Sequence, residues 1–379
     1  GVGNTIFGKN AGLSLESGSN QNTFIGEAVS DATMDDALGN VGIGYSALSG
    51  LTQGDDNIAI GRNALLANTT GTQNVVIGSN AGDAIGGCWY NTLIGHNAGS
   101  GINGTNHGQI AIGHSALLST TTGLNNVAIG SFDGTLSAAL QTNTDGSYNI
   151  AIGAGALSTA NENDNDGTVA IGHLACNVQA GTDGAQFANA TTAIGYKVLT
   201  ALTTGARNTA VGYEAGLAIT TGQYNTIVGS EAADDIADGN NNTVMGRGAM
   251  GGNMGSASEG SSDNTFLGYA SGGGNWADQD CSNVVAIGSL AMSGALEGDT
   301  ADGSVAVGKS ALAALTSGAG NTAVGYTAMN DVVEGEKNTA IGYNAFGGAL
   351  DATADASTDN IFIGYNSGSG DWVTATSNW

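Results

Sequence analysis

Short apolar clusters recur along the chain, each closed by a glycine and separated from the next by a polar stretch. The cluster is five residues long, Asn-Thr-Ala-Ile-Gly in its commonest form, and it occurs twenty times between Gly8 and Gly364. Nine of the nineteen spacings between its glycines are seventeen positions, three are eighteen, and the rest run from nineteen to twenty-three. Each position has its own chemistry. The first is Asn in fifteen copies, as at Asn208, Asn225 and Asn242, and the second is β-branched in all twenty, with Thr in ten. The third is apolar or Gly, the fourth is always Ile, Val, Leu, Met or Phe, and the fifth is always Gly. Fifteen copies carry Ala three residues after that Gly, as at Ala47, Ala64, Ala311 and Ala328.

Positions two and four share one face of a short strand and position three points to the other, so the strand is apolar on both faces. Repetition at a fixed period, with insertions but no deletions, predicts stacked coils whose shortest closed path is that commonest spacing. The expected fold is all-β: a parallel β-solenoid or β-roll of about 20 coils, spaced about 4.8 Å apart. It forms one repetitive shaft over residues 1–379 with no separate globular domain. Stacked copies of the Asn column would hydrogen-bond as a ladder. The glycine ends each strand where a turn needs a positive φ or close backbone approach.

A left-handed β-helix of hexapeptide repeats has three apolar corners per coil, and this chain resembles it at one corner only. Six and twelve residues beyond Val211 stand Leu217 and Gln223; beyond Ile194 stand Thr200 and Ala206. Two sides of the coil thus lack a consistent core residue in this frame. A thin core predicts that the second strand face is buried against copies of itself, with closed cyclic symmetry, as a homotrimer.

The extended motif Asn-Thr-Ala-Ile-Gly-Tyr-x-Ala, as in Asn338–Ala345 and Asn321–Ala328, resembles the glycine-rich repeat of trimeric phage and virus tail fibres. It is also similar to the head repeat of YadA-like trimeric autotransporter adhesins, where Ser/Asn-x-Ala-Ile-Gly builds a left-handed parallel β-roll. The resemblance runs from Asn4 to about Gly368. It implies a left-handed, trimeric, non-catalytic protein at an extracellular or virion surface that does structural or adhesive work. The coil is longer than that of the adhesin heads. No heptads, barrel strands or chaperone segment appear, which favours a fibre shaft over an intact autotransporter. A motif beginning at Asn4 and the missing initiator Met lead us to expect head-to-tail assembly or neighbouring fibre and anchor domains.

Composition sharpens this picture. The 379 residues include 65 Gly and no Pro, with 7 Lys+Arg against 33 Asp+Glu and a net charge of −26. Collagen needs Pro and a strict Gly period and is excluded. So few cations cannot cover a phosphate backbone, so nucleic acid is not an expected partner. A polybasic membrane anchor fails for the same reason, and no apolar run is long enough to cross a bilayer as a helix. Cys88, Cys176 and Cys281 fit no metal or redox spacing and read as small buried hydrophobes.

The position after the motif Gly is biased toward Tyr (Tyr45, Tyr196, Tyr213, Tyr269, Tyr326, Tyr343, Tyr365), His (His96, His114, His173) and Lys or Arg (Lys9, Arg62, Arg247, Lys309). The plain reading is a ledge of large side chains covering the turn. The functional reading is an aromatic stripe, Tyr196, Tyr213, Tyr326 and Tyr343, that stacks on the sugar rings of a host-surface glycan. Trp89, Trp276, Trp372 and Trp379 are the other sugar platforms to consider. Acidic residues gather between motifs, as at Asp234/Asp235/Asp238, and read as a solvated coat that keeps a β-rich surface from sticking laterally. One stretch, 162–167, alternates oxygen ligands before a Gly, so Glu162, Asp164 and Asp166 are candidate calcium ligands. It is no EF-hand, since position twelve is His173. No other cofactor is implied.

The chain carries no nucleophile elbow or P-loop signature, and the expected role is non-enzymatic. The first expectation is a trimeric shaft of a phage or virus tail fibre, acting as a rigid spacer and host-receptor binder. A YadA-like adhesin head or extracellular filament subunit is the alternative. A β-solenoid polysaccharide-degrading enzyme is a third, its site projecting on the longest loops near 131–148, 177–190, 251–262 and 347–359. An ice-binding role for the Thr column is disfavoured, because Val or Ile interrupts it in half the coils and because it is expected to pair with buried positions.

Overall fold

The computed structural model describes residues 1–103, 106–132, 134–159, 166–177, 189–252, 260–274, 281–294, 301–348 and 357–370. Among them every regular element is a β-strand and no α-helix occurs. The fold is a parallel β-solenoid, and the chain divides into two compact units, Gly1–Thr191 and Thr192–Trp379.

In the first unit ten three-residue motif strands run from Thr5–Phe7 to Val169–Ile171. Neighbours pair parallel and like with like: Ala111 lies beside Ala128, Ala128 beside Ala151 and Ala151 beside Ala170. A small accessory pair, Ser14–Leu15 with Thr33–Met34, widens the first coils. The second unit repeats the arrangement with ten strands from Thr192–Ile194 to Ile361–Ile363. There Thr192, Thr209, Thr226, Thr243 and Thr265 form one unbroken column. The register is set by chemistry, since each coil offers its neighbour the same residue type at the same height.

Strand direction settles which face is inside. The third motif position is buried in every strand except Thr5–Phe7 and Ile361–Ile363, while positions two and four are half-buried or exposed throughout. The inner series therefore starts at position three, and the frame counted from the fourth-position aliphatic was the wrong one. Beyond Ala193 the core continues at Val198, Leu199 and Leu202, all fully buried. Beyond Ala323 it continues at Ala328, Met329 and Val332. Each coil thus fills its own interior, and the thin core expected from the hexapeptide frame is corrected.

The turn supplies the second inward residue of each coil. Asn63 and Leu65 adopt φ of 57° and 50° on either side of Ala64, and the pattern recurs at Lys197 and Leu199 around Val198. Left-handed residues break the in–out alternation, so two consecutive side chains face the core. Each such non-glycine residue costs about 1 kcal/mol or more. The cost is offset because hydrogen bonding between coils continues through the turn: the Asn63 N–H donates to Tyr45 O at 2.9 Å and the Leu65 N–H to Ala81 O at 3.1 Å.

Proline is excluded from much of the coil. Beyond the strands, the N–H groups of Thr52 and Gln53 reach Thr69 O and that of Asp56 reaches Leu38 O. Proline would remove these donors, and its ring-locked negative φ cannot serve the left-handed sites.

Candidate interaction surfaces

The Asn column holds the strands at one height. Asn57 is fully buried. Its main-chain N–H and its Nδ2 both donate to Asn40 Oδ1 at 3.0 Å, and Nδ2 also donates to Gly71 O at 2.8 Å. Its own Oδ1 accepts from the N–H and Nδ2 of Asn74 at 3.1 and 2.9 Å. Every polar atom of the side chain is satisfied, which is the condition for burying an amide. The same set recurs at Asn225, between Asn208 and Asn242. Gln109 substitutes in one coil, accepting from the Asn126 N–H through Oε1 at 3.1 Å.

A second ladder escaped the sequence reading. Two residues before the first motif position, several coils carry a side-chain acceptor that takes the main-chain N–H of the residue one coil earlier. Asp55 accepts from Leu38 at 2.8 Å, His107 from Trp89 at 3.0 Å, Ser147 from Leu124 at 3.0 Å and Asp302 from Ser282 at 2.8 Å. The residue types differ, and only their acceptor chemistry is shared.

Positions two and four build the outward face. It carries Thr, Val, Ile, Leu, Met and Phe and not one charged residue. Ile194, Met245 and Ile341 are among its exposed members. The Thr column lies on this outward face rather than beside buried positions, so one of the two grounds for setting aside an ice surface is corrected. The interruption by Val and Ile stands.

The column after the motif Gly runs alongside. Tyr196 stacks on Tyr213 with ring centroids 5.3 Å apart and planes 8° from parallel. Tyr326, Tyr343 and Tyr365 form a longer stack at 5.1 and 5.2 Å. Lys197 lies 5.4 Å from the Tyr196 ring and 3.8 Å from Glu214. A hydrogen bond to Glu214 raises the Tyr213 phenol above its usual range, with the nearby carboxylate charge adding to the shift. The proposed sugar platforms therefore spend ring faces on one another. In unit one His96 and His114 approach to 5.0 Å and His114 meets Phe132 edge-on. Trp89 is half-exposed and stacks on His107 at 4.6 Å; Trp276, Trp372 and Trp379 lie outside the described residues.

Of the candidate calcium ligands, Glu162 and Asp164 lie outside the described residues. Asp166 Oδ1 accepts from the Ser147 N–H at 2.7 Å, and its own N–H donates to Asn189 Oδ1 at 3.1 Å, so Asp166 is a rung of the second ladder. Asp238 takes the hydroxyls of Thr220 and Thr221. Asp234 is half-buried, and desolvation, reinforced by the charge of Asp235, pushes its carboxyl up to about 6. All three cysteines are buried, and burial raises the Cys88 thiol. In the segment 131–148, Ala138, Ala139 and Leu140 are buried, so its end belongs to the core. The loops near 177–190, 251–262 and 347–359 fall mostly outside the described residues.

A scan against protein-family models gives no match for this chain, and a search of curated proteins gives none.

Proposed function

We propose that the chain is a non-enzymatic structural segment: the shaft of a homotrimeric fibre at an extracellular or virion surface, a rigid spacer that presents its side chains to a host receptor. The observation that carries this reading is the outward strand face. A chain of net charge −26 keeps every charged residue off positions two and four of all twenty motifs. Like-charged copies repel wherever acidic residues face each other. The uncharged face is where three copies can approach, each burying aliphatic side chains that are otherwise half-wet. Ladders that extend through the turns as well as the strands suit a stiff element.

The test is the solution mass of the chain at micromolar concentration. A trimer has three times the 37.1 kDa mass of the chain. Ile194→Glu together with Val228→Glu should reduce this to the monomer while the coil stays folded. A monomer in the wild type would sink the trimeric shaft. A trimer untouched by both substitutions would move the interface elsewhere.

A further inference from the structure

We propose that Lys309 and the stack Tyr326–Tyr343–Tyr365 form a binding site for an elongated, planar aromatic acid. The three rings lie 5.1 and 5.2 Å apart, with adjacent planes 11° and 17° from parallel. Each ring therefore turns its faces to its neighbours along the stack and its edges sideways. The rings remain 45%, 49% and 74% exposed, so those edges meet solvent. A ring edge is the electropositive rim of the aromatic system, and it pairs with the negative face of another aromatic in a T-shaped arrangement. A flat aromatic body laid lengthwise sets one π face across three successive edges. A sugar ring would instead need a tyrosine face, and Tyr343 has both of its faces covered.

Gly342 and Gly364 precede Tyr343 and Tyr365 in the chain, so that flank of the stack carries no side chain. Charge fixes the polarity. Lys309 sits one coil before Tyr326, its Nζ 6.0 Å from that ring, and forms no ion pair among the described residues. The next column, Ser310, Thr327, Asn344 and Asn366, is uncharged. A single cation at one end of an aromatic stripe selects a ligand with an acid at one end. Four coils span about 14 Å, the length of two linked aromatic rings with a carboxylate. The site is built within one chain.

The probe is 4-phenylazobenzoate, titrated into the full chain and followed by induced circular dichroism. Its uncharged amide and the aromatic cation thioflavin T are compared with it. The benzoate should bind one per chain and more tightly than either. Tyr343→Ala should weaken it about tenfold, and Tyr343→Phe should leave it unchanged, because the ring edges remain. Lys309→Gln should weaken it about threefold and remove the preference over the amide. Tyr365→Ala, at the end of the stack, gives a second reading if Tyr343→Ala loosens the coil. Failure of all three probes to bind overturns the site, as does benzoate binding indifferent to Tyr343→Ala and Tyr365→Ala. Tighter binding of the amide or of thioflavin T overturns the ligand class.

Discussion

Replacing Asn225 by alanine cuts the buried ladder in the second unit, and the cost can be worked out atom by atom. Asn225 Oδ1 accepts from the N–H of Asn242 at 2.9 Å and from its Nδ2 at 3.1 Å. Both donors are buried and lose that acceptor; Nδ2 keeps only its second bond, to Ser261 O at 2.8 Å. Gly239 O loses the amide that reaches it at 2.8 Å. At about 1–3 kcal/mol for each buried group left unsatisfied, two lost donor bonds alone cost about 2–6 kcal/mol. The natural breaks in the column show why the neighbour cannot adjust. Val284 has no amide to offer the next coil, and there the Ser304 N–H turns to Ala301 O at 3.2 Å. Ala301 sits in one of the lengthened coils, whereas the coil ending at Asn242 has the shortest length in the chain. The effect should be local, because coils bond chiefly to their neighbours. The assays are guanidinium denaturation and hydrogen exchange at the Asn242 amide. Thr226→Ala, one residue away but on the exposed face, serves as the control and should cost about 0.5 kcal/mol or less. The reasoning fails if Asn225→Ala costs less than about 1 kcal/mol and leaves the Asn242 amide protected.

The motif glycine should be irreplaceable: Gly212 has a φ of 147°, and a Cβ there would lie 2.2 Å from Gly229 O. Gly212→Ala should cost about 3 kcal/mol or more by thermal melting, whereas Gly86→Ala, with nothing within 4 Å of the added carbon, should be near neutral. Leu199→Ala removes a fully buried core side chain and should cost about 2–5 kcal/mol in denaturant midpoints; a neutral result would mean that the coil does not close on its own core. Asp234 has its folded pKa raised from 3.8 to about 6, so folding is favoured below the unfolded value and loses stability as pH rises through about 4 to 6. Asp234→Asn should flatten that slope and stabilise the chain at neutral pH by about 1 kcal/mol, allowing for solvent screening of a half-exposed group; denaturation at pH about 3.5 and 7.5, on either side of that range, reads it.

Stacking explains which features could be read from the sequence and which could not. In a solenoid each residue lies against its own counterpart, so a column whose chemistry depends on identity repeats that identity. Asn22, Asn40 and Asn57 repeat because only an amide both accepts from the next coil and donates to the previous one. Motif glycines such as Gly8 and Gly342 repeat because any Cβ there would meet the backbone of the coil above. The parallel register and the strands follow from these columns alone. Where a column needs only a property, identity drifts and the signal fades. The second ladder uses Asp55, His107, Ser147 and Asp302 interchangeably, since any acceptor serves. Asp166 belongs to the same ladder, its carboxylate capping the Ser147 N–H.

The inside–outside assignment was hidden for a geometric reason. Alternation of side chains holds only while φ stays negative and extended. The left-handed residues at Leu65 and Leu199 put leucines inward beside alanine and valine; a count of six from the fourth-position aliphatic steps past them, whereas the same count from Ala59 and Ala193 lands on them. The larger, more apolar fourth-position Ile was then the natural but mistaken choice for the core. Its actual outward placement links the two halves of the chain's composition. Alanine at position three fits a narrow interior already filled by Leu, Met and Phe from the turn. The bulky aliphatics are free to face outward, on a strand face that carries no charged residue in any of the twenty motifs. A substitution that exchanges these roles, such as Ala210→Ile with Val211→Ala, keeps the strand apolar at both positions. It should nevertheless overpack the coil and, on the trimeric reading proposed above, weaken self-association as well, which a change at either face alone would not do.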